Sequence, residues 1–185
     1  MTIACPCSVN DFKKFGENWI NHHKGYDLFI LWTEEIMDTS IRGALYEQGQ
    51  HGFSFSECRN QILERNKFVL FVDIDERLLS PLEHTDKAGY AVNIISHEKE
   101  STSLTRTIRG VNSKYRYKHF IHERVGEDIA NKRGEIFESK AIIEHFGYLD
   151  VTGKIERNIT LLAKEILFGD KEYGIQQLKR TLNVK

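Results

Sequence analysis

Along the first half of the chain, short runs of hydrophobic residues alternate with stretches in which hydrophobic residues recur every three or four positions, a pattern that predicts strands and helices in turn. Thr2 to Ser8 reads as a first strand. Phe12, Phe15, Trp19 and Ile20 then fall on one side of a helix that Asn10 or Asp11 can cap, running to His22 or His23 and ended by Gly25. Tyr26 to Thr33 is a mostly apolar run short enough to be a buried strand. A helix is predicted from about Thr39 to Gln48, with a turn at Gly49 and Gly52. Ser56 can cap a further helix through Asn66 that turns Cys58, Ile62 and Leu63 inward. Phe68 to Val72 is apolar at every position, which requires cover on both faces and places this strand mid-sheet.

Beyond Asp73 the pattern changes. Ser80-Pro81 suits the cap and first position of a short helix. Gly89 to Ile95, Thr102 to Arg109 and Tyr115 to His122 read as partly antiparallel strands, with a loop or hairpin around Gly110, and Ala141 to His145 as another short strand. Ile155, Ile159, Leu162 and Ile166 form a helical stripe, and Asp170 can cap a last helix carrying Ile175, Leu178 and Leu182. The expected class is α/β, a mostly parallel mixed sheet flanked by helices, in one domain over residues 1–185.

Composition narrows the partners more than the fold. Lys and Arg number 26 against 27 Asp and Glu, for a formal charge of -1, so any attraction to a polyanion must be local. The amino-terminal segment lacks a signal-peptide pattern and no apolar run reaches membrane-spanning length, so the expectation is a cytoplasmic protein with no membrane insertion. Cys5, Cys7 and Cys58 are an odd number without ladder spacing and are expected to be free thiols.

The chemistry is expected at Asp73-Ile74-Asp75, because ligands of open parallel sheets bind beyond the carboxyl ends of the central strands. In an extended chain, residues two apart point the same way, so Asp73 and Asp75 can share one hard cation, Mn²⁺ or Mg²⁺, with open positions for a diphosphate. Arg59 offers paired donors to a phosphate or a base carbonyl, or is an ordinary surface arginine. Between Arg106 and Arg124, basic residues interleave with Tyr115, Tyr117 and Phe120. Such a stripe suits a nucleic-acid groove, an acceptor wall or, more simply, an edge strand.

Taken in order, Phe53-Ser54-Phe55-Ser56-Glu57-Cys58-Arg59-Asn60, Phe68 to Glu76, Phe120-Ile121-His122-Glu123-Arg124-Val125, Ile143-Glu144-His145-Phe146-Gly147-Tyr148 and Lys154-Ile155-Glu156-Arg157-Asn158-Ile159 resemble family 2 glycosyltransferases of the GT-A fold, in the bacterial and phage branch with an Asp-x-Asp-Glu motif. The resemblance covers roughly Phe53 to Glu165. It implies a nucleotide-sugar-binding half over residues 1–76, an acceptor half over 77–150 and C-terminal helices over 151–185. It implies transfer of a hexose from a nucleotide sugar, UDP-sugar favoured, to a hydroxyl of a saccharide, a protein or a modified DNA base. On that likeness Thr33, Glu34, Arg59, Asn60, Asp73 and Ile74 fall on the donor side, Asp75 and His145 at the metal, Glu123 and His122 at the catalytic base, and Arg109 and Tyr117 toward the acceptor. The sequence departs from the family at Asn10-Asp11 and at Thr33-Glu34-Glu35, which bears on the choice of nucleobase.

Two other classes compete. A haloacid-dehalogenase-type, Mg²⁺-dependent phosphatase also sets Asp-x-Asp after an apolar strand, although Glu76-Arg77 is a poor continuation of its motif. A non-catalytic sugar-nucleotide or nucleic-acid binding module would keep the site without the transfer.

Overall fold

The computed structural model describes residues 1–33, 45–48, 54–83, 86–97, 101–121, 123–146 and 154–182. The elements in chain order are β1 (Thr2–Cys7), α1 (Val9–His23), β2 (Asp27–Trp32), β3 (Leu45–Gln48), α2 (Phe55–Arg65), β4 (Phe68–Phe71), β5 (Glu76–Ser80), β6 (Gly89–His97), β7 (Thr102–Asn112), α3 (Gly126–Asn131), β8 (Ile136–His145), α4 (Lys154–Phe168) and α5 (Lys171–Thr181). The strands form one eight-stranded sheet in the order β3-β2-β1-β4-β7-β6-β8-β5. Only β7 and β5 run against the other six. The expected mixed, mostly parallel α/β sheet is therefore present, and β4 lies in its interior.

The alternation of side chains along the inner strands divides the core into two layers. Ile3, Cys5, Leu28, Ile30, Trp32, Leu70 and Val72 pack on one face with Phe12, Trp19 and Ile20 of α1. Ala4, Phe29, Leu31, Val69 and Phe71 pack on the other with Cys58, Ile62 and Leu63 of α2 and Ile129 of α3. A strand whose every residue meets one layer or the other has no polar position to spare, which is why β4 is apolar throughout. The C-terminal pair α4 and α5 packs as a hairpin, with Leu161, Leu162 and Leu178 around Ile121 and Phe55. All three cysteines are buried free thiols, and burial pushes the Cys58 thiol up to about 11. No described helix is long and apolar enough to cross a membrane.

Several local expectations are corrected. Leu45–Gln48 is a strand paired in parallel with β2, not the end of a helix, while the rest of the Thr39 helix and the Gly49 and Gly52 turn lie outside the described residues. The helix caps are Ser8 and Ser54 rather than Asn10, Asp11 or Ser56, because their hydroxyls accept from the backbone of Asp11 and Glu57. Ser80 ends β5 and does not start a helix; its hydroxyl accepts from Ile142 N at 3.0 Å. Gly110 is no hairpin tip, since β7 runs through it to Asn112 and pairs there with both β4 and β6. A Cβ at Gly110 would sit 2.9 Å from the Phe68 ring and 3.0 Å from Tyr90 Cβ, so the glycine permits the close packing of three strands. Tyr115 to Phe120 is a turn-rich loop whose one bridge joins Lys118 to Arg124, not a strand.

Two elements had no counterpart in the pattern, α3 and β5. β5 is held from the side by α1, where Leu78 N donates to His23 Nε2 at 3.2 Å and the Leu78 carbonyl lies 3.0 Å from His22 Nε2. Burial lowers the His23 pKa to about 4, so the ring stays neutral and can accept.

Candidate functional site

Beyond the end of β4 the sheet continues without it. β7 pairs with β4 only from Asn112 back to Gly110, yet runs on to Thr102, an overhang of about 26 Å at roughly 3.3 Å per residue. β6 and β8 extend alongside it to His97 and His145. The overhang is one wall of a cleft of about 350 Å³ whose base holds Arg59, Asp73, Glu76 and Glu123. This is the edge where six parallel strands present their carboxyl ends, the place expected for chemistry.

The acidic motif at that edge is a turn, not an extension of the strand. Glu76 N donates to the Asp73 carbonyl at 2.9 Å, and Asp73 N donates to Glu76 Oε2 at 2.7 Å, with Ile74 buried between. An extended chain therefore does not align Asp73 with Asp75, and the two carboxylates take different partners. Arg59 Nη2 donates to Asp73 Oδ1 at 2.9 Å and Arg109 Nη1 to Asp73 Oδ2 at 2.9 Å. Arg59 Nε donates to Glu123 Oε1 at 2.6 Å, and Arg109 Nη2 to Glu76 Oε1 at 2.6 Å. Glu123, Arg59, Asp73, Arg109 and Glu76 thus form one chain of alternating charge. Arg59 is its most buried cation, 4.8 Å from the centre of the Phe71 ring and 5.5 Å from that of Tyr117.

Two carboxyls of this chain, Asp73 and Glu76, titrate oppositely. Burial opposes ionisation of Asp73, but the guanidinium groups of Arg59 and Arg109 outweigh it and hold the carboxyl well below the usual range. Burial also dominates at Glu76, and with the charges of Asp73 and Asp75 it outweighs Arg109 and pushes the carboxyl up to about 7. A carboxyl whose folded pKa is raised stabilises the fold fully below its unfolded pKa, about 4.5, and loses that contribution as pH rises toward 7. In metal-free protein kept in chelator, urea titrations at pH 5 and pH 7.5 are expected to show a stability loss across this window. The Glu76→Gln variant should lose less, and an equal slope in both proteins would assign the titration elsewhere.

Asp75 turns toward β8, where His145 Nε2 lies 3.3 Å from its Oδ2. Burial disfavours the imidazolium, but the bond to Asp75 and the surrounding carboxylates prevail and raise the His145 pKa. Among the described residues, no group of three or more His, Cys, Asp and Glu is gathered around one point. A carboxylate oxygen and an imidazole nitrogen nevertheless suit Mg²⁺ or Mn²⁺ that draws its other ligands from a diphosphate and water. The donor set of Asp75 and His145 fits that cation; Asp73, with both oxygens bonded to guanidinium groups, fits it less well.

The remaining expected residues divide clearly. Asn60 exchanges two hydrogen bonds with the Tyr117 backbone, at 2.8 and 3.0 Å, and so clamps the loop between β7 and α3 to α2. Arg109 and Tyr117 both line the cleft, but Arg109 is spent on Asp73 and Glu76, and Tyr117 is buried with its ring edge against Phe71. Thr33 N donates to the Cys7 carbonyl at the end of β2, away from the cleft lining. Glu34 and His122 lie outside the described residues. The basic and aromatic stripe is taken apart by folding: Arg106 pairs with Glu138, Arg109 is drawn into the cleft, and Arg116 hydrogen-bonds the carbonyls of Ser113 and Tyr115. Glu76, Ser96, Thr105 and Thr107 were not foreseen as site residues; only Glu76, fourth in the acidic motif, carried a signal.

The loop bearing Glu123 is also fastened from the C-terminal helices. Glu165, 1% exposed, accepts from Phe120 N and from Asp170 N at 2.9 Å and lies 3.1 Å from His119 Nδ1. His119 has a φ of 73° and its ring stacks on Tyr173 at 3.8 Å. A Cβ at Gly169 would lie 2.6 Å from Glu165 Oε1, so only glycine leaves that carboxylate its place. Comparison with models of known protein families and with curated proteins gave no match.

Proposed function

We propose that the chain is a metal-dependent glycosyltransferase of the GT-A type, moving a hexose from a nucleotide sugar, UDP-sugar favoured, to an acceptor hydroxyl. The observation that carries this reading is the position of Glu123. A loop after β7 brings its carboxylate to the same guanidinium that holds Asp73, in a cleft also lined by His145, the partner of Asp75. A candidate base and a candidate metal site thus share one cleft at the carboxyl edge of a parallel sheet, the arrangement that transfer from a diphosphate requires.

In this mechanism Asp75 and His145 would hold the dication, whose charge would offset the one that develops on the leaving diphosphate. Glu123 keeps Oε1 on Arg59, and its Oε2, without a hydrogen bond among the described residues, takes the proton of the attacking hydroxyl. Arg59 fixes the direction of that carboxylate through a bond that also anchors Asp73. One base and in-line displacement give inversion at the anomeric carbon.

The competing readings fit the side chains less well. A phosphatase of the haloacid dehalogenase type needs an aspartate oxygen free to attack phosphorus, whereas both oxygens of Asp73 are bonded to arginine. A DNA acceptor held by the basic stripe would need Tyr117 accessible for stacking, and Tyr117 is 6% exposed.

The test is nucleotide release from a panel of UDP- and GDP-sugars with Mn²⁺ or Mg²⁺. Release from at least one donor is expected, and Asp75→Ala should lower it by on the order of 100-fold at fixed metal concentration. Phosphate release from a monoester instead would favour the phosphatase, and an Asp75→Ala enzyme as fast as the parent would remove that residue from the metal site.

A further inference from the structure

The inner face of the overhanging wall is built from hydroxyls around an apolar strip. Thr105 and Thr107 stand opposite Ile94 and Val92 of β6, and Ser96, next along that face, stands opposite His145 of β8. Side chains two apart on a strand share a face, and Ile94, Ser96, Thr105 and Thr107 all line the cleft. Thr105 and Thr107 are exposed, while Ile94 and Ser96 are buried at the back of the wall.

At the base, a ligand meets carboxylate oxygen more than guanidinium. The Asp73 side chain is 33% exposed, against 5% for Arg59 and 14% for Arg109. Asp73 is the most exposed of the charged groups lining the cleft, so a phosphate or carboxylate on the ligand would bring acceptors to an acceptor. A hydroxyl can donate to Asp73 or Glu123 and accept from a threonine. Arg59 and Tyr117, both more than nine-tenths buried and both lining the cleft, each carry a polar atom with no hydrogen-bond partner among the described residues. A buried polar atom left so calls for an explanation, and a ligand in the cleft supplies one.

We propose that this wall holds a neutral, polyhydroxylated ring, a hexose unit, with Thr105, Thr107 and Ser96 bonding its hydroxyls and Ile94 against its carbon face, and that the cleft rejects sugars bearing a carboxylate or phosphate. The proposal deepens the glycosyltransferase reading and rests on it only for which substrate the ring belongs to.

Saturation-transfer NMR on the full chain, without nucleotide sugar, tests it with methyl glucoside, methyl galactoside and methyl mannoside against glucuronate, galacturonate and inorganic phosphate. At least one neutral glycoside is expected to bind, with the acids at least tenfold weaker. The Thr105→Val/Thr107→Val double variant keeps the β-branched shape on an exposed strand and is expected to weaken the neutral glycoside about tenfold at an unchanged thermal midpoint. Silence from every neutral glycoside overturns the proposal, as does equal binding of uronate or phosphate, or an unchanged Kd in the double variant. The two readings fail separately: nucleotide release with silent glycosides removes only this proposal, and glycoside binding without release from any donor removes only the transferase.

Discussion

Arg59→Met is expected to destabilise the protein by about 3–5 kcal/mol, the cost of breaking a buried ion pair by removing one partner. Methionine fills the space between Phe71 and Tyr117 adequately, so packing is not the main loss. The loss comes from Asp73 and Glu123, which share this one guanidinium and would lose its counter-charge. Urea denaturation at pH 7 measures the effect. The triple variant Arg59→Met/Asp73→Asn/Glu123→Gln should recover a large part of it, because neutral groups need no counter-charge. A single variant as stable as the parent would mean that water, not Arg59, screens these carboxylates.

The second large effect is on turnover. Glu123→Gln keeps an oxygen to accept from Arg59 and removes only the ability to take a proton, so it should lower kcat for sugar transfer by about 10²–10⁴-fold. Donor affinity should change little, because Asp75 and His145 bond each other while Glu123 bonds Arg59. The informative measurement separates kcat from the Kd for the nucleotide sugar. Loss of donor binding together with kcat would make Glu123 a structural partner of Arg59 rather than a base, and an unchanged kcat would move the base elsewhere.

Although Ile159, Ile175 and Leu182 of the two C-terminal stripes are exposed, periodicity and burial logic were enough to place β1, α1, β2, α2, β4, β6, α4 and α5. The Phe68–Phe71 strand shows this most clearly: a wholly apolar strand needs two layers, and it has them. The same logic failed wherever the stabilising partner is remote. Leu45–Gln48 is a strand because β2 offers an open edge, and β5 because α1 and β8 receive it; neither partner is visible in the local residue pattern.

The site divides along the same line. That Asp73 and Asp75 mark the working edge was legible, since they follow a wholly apolar strand inside the sheet. What those residues do there was not, because the turn from Asp73 to Glu76 rotates one carboxylate toward two arginines and the other toward a histidine. Arg59, Arg109 and Glu123 lie 14, 36 and 50 positions from Asp73 in the chain, and only folding brings them within hydrogen-bonding distance of one another. Sequence by itself determined the layers and the edge, through short-range periodicity. Tertiary structure alone decided which charges pair, because Coulomb attraction depends on distance in space and is blind to distance along the chain.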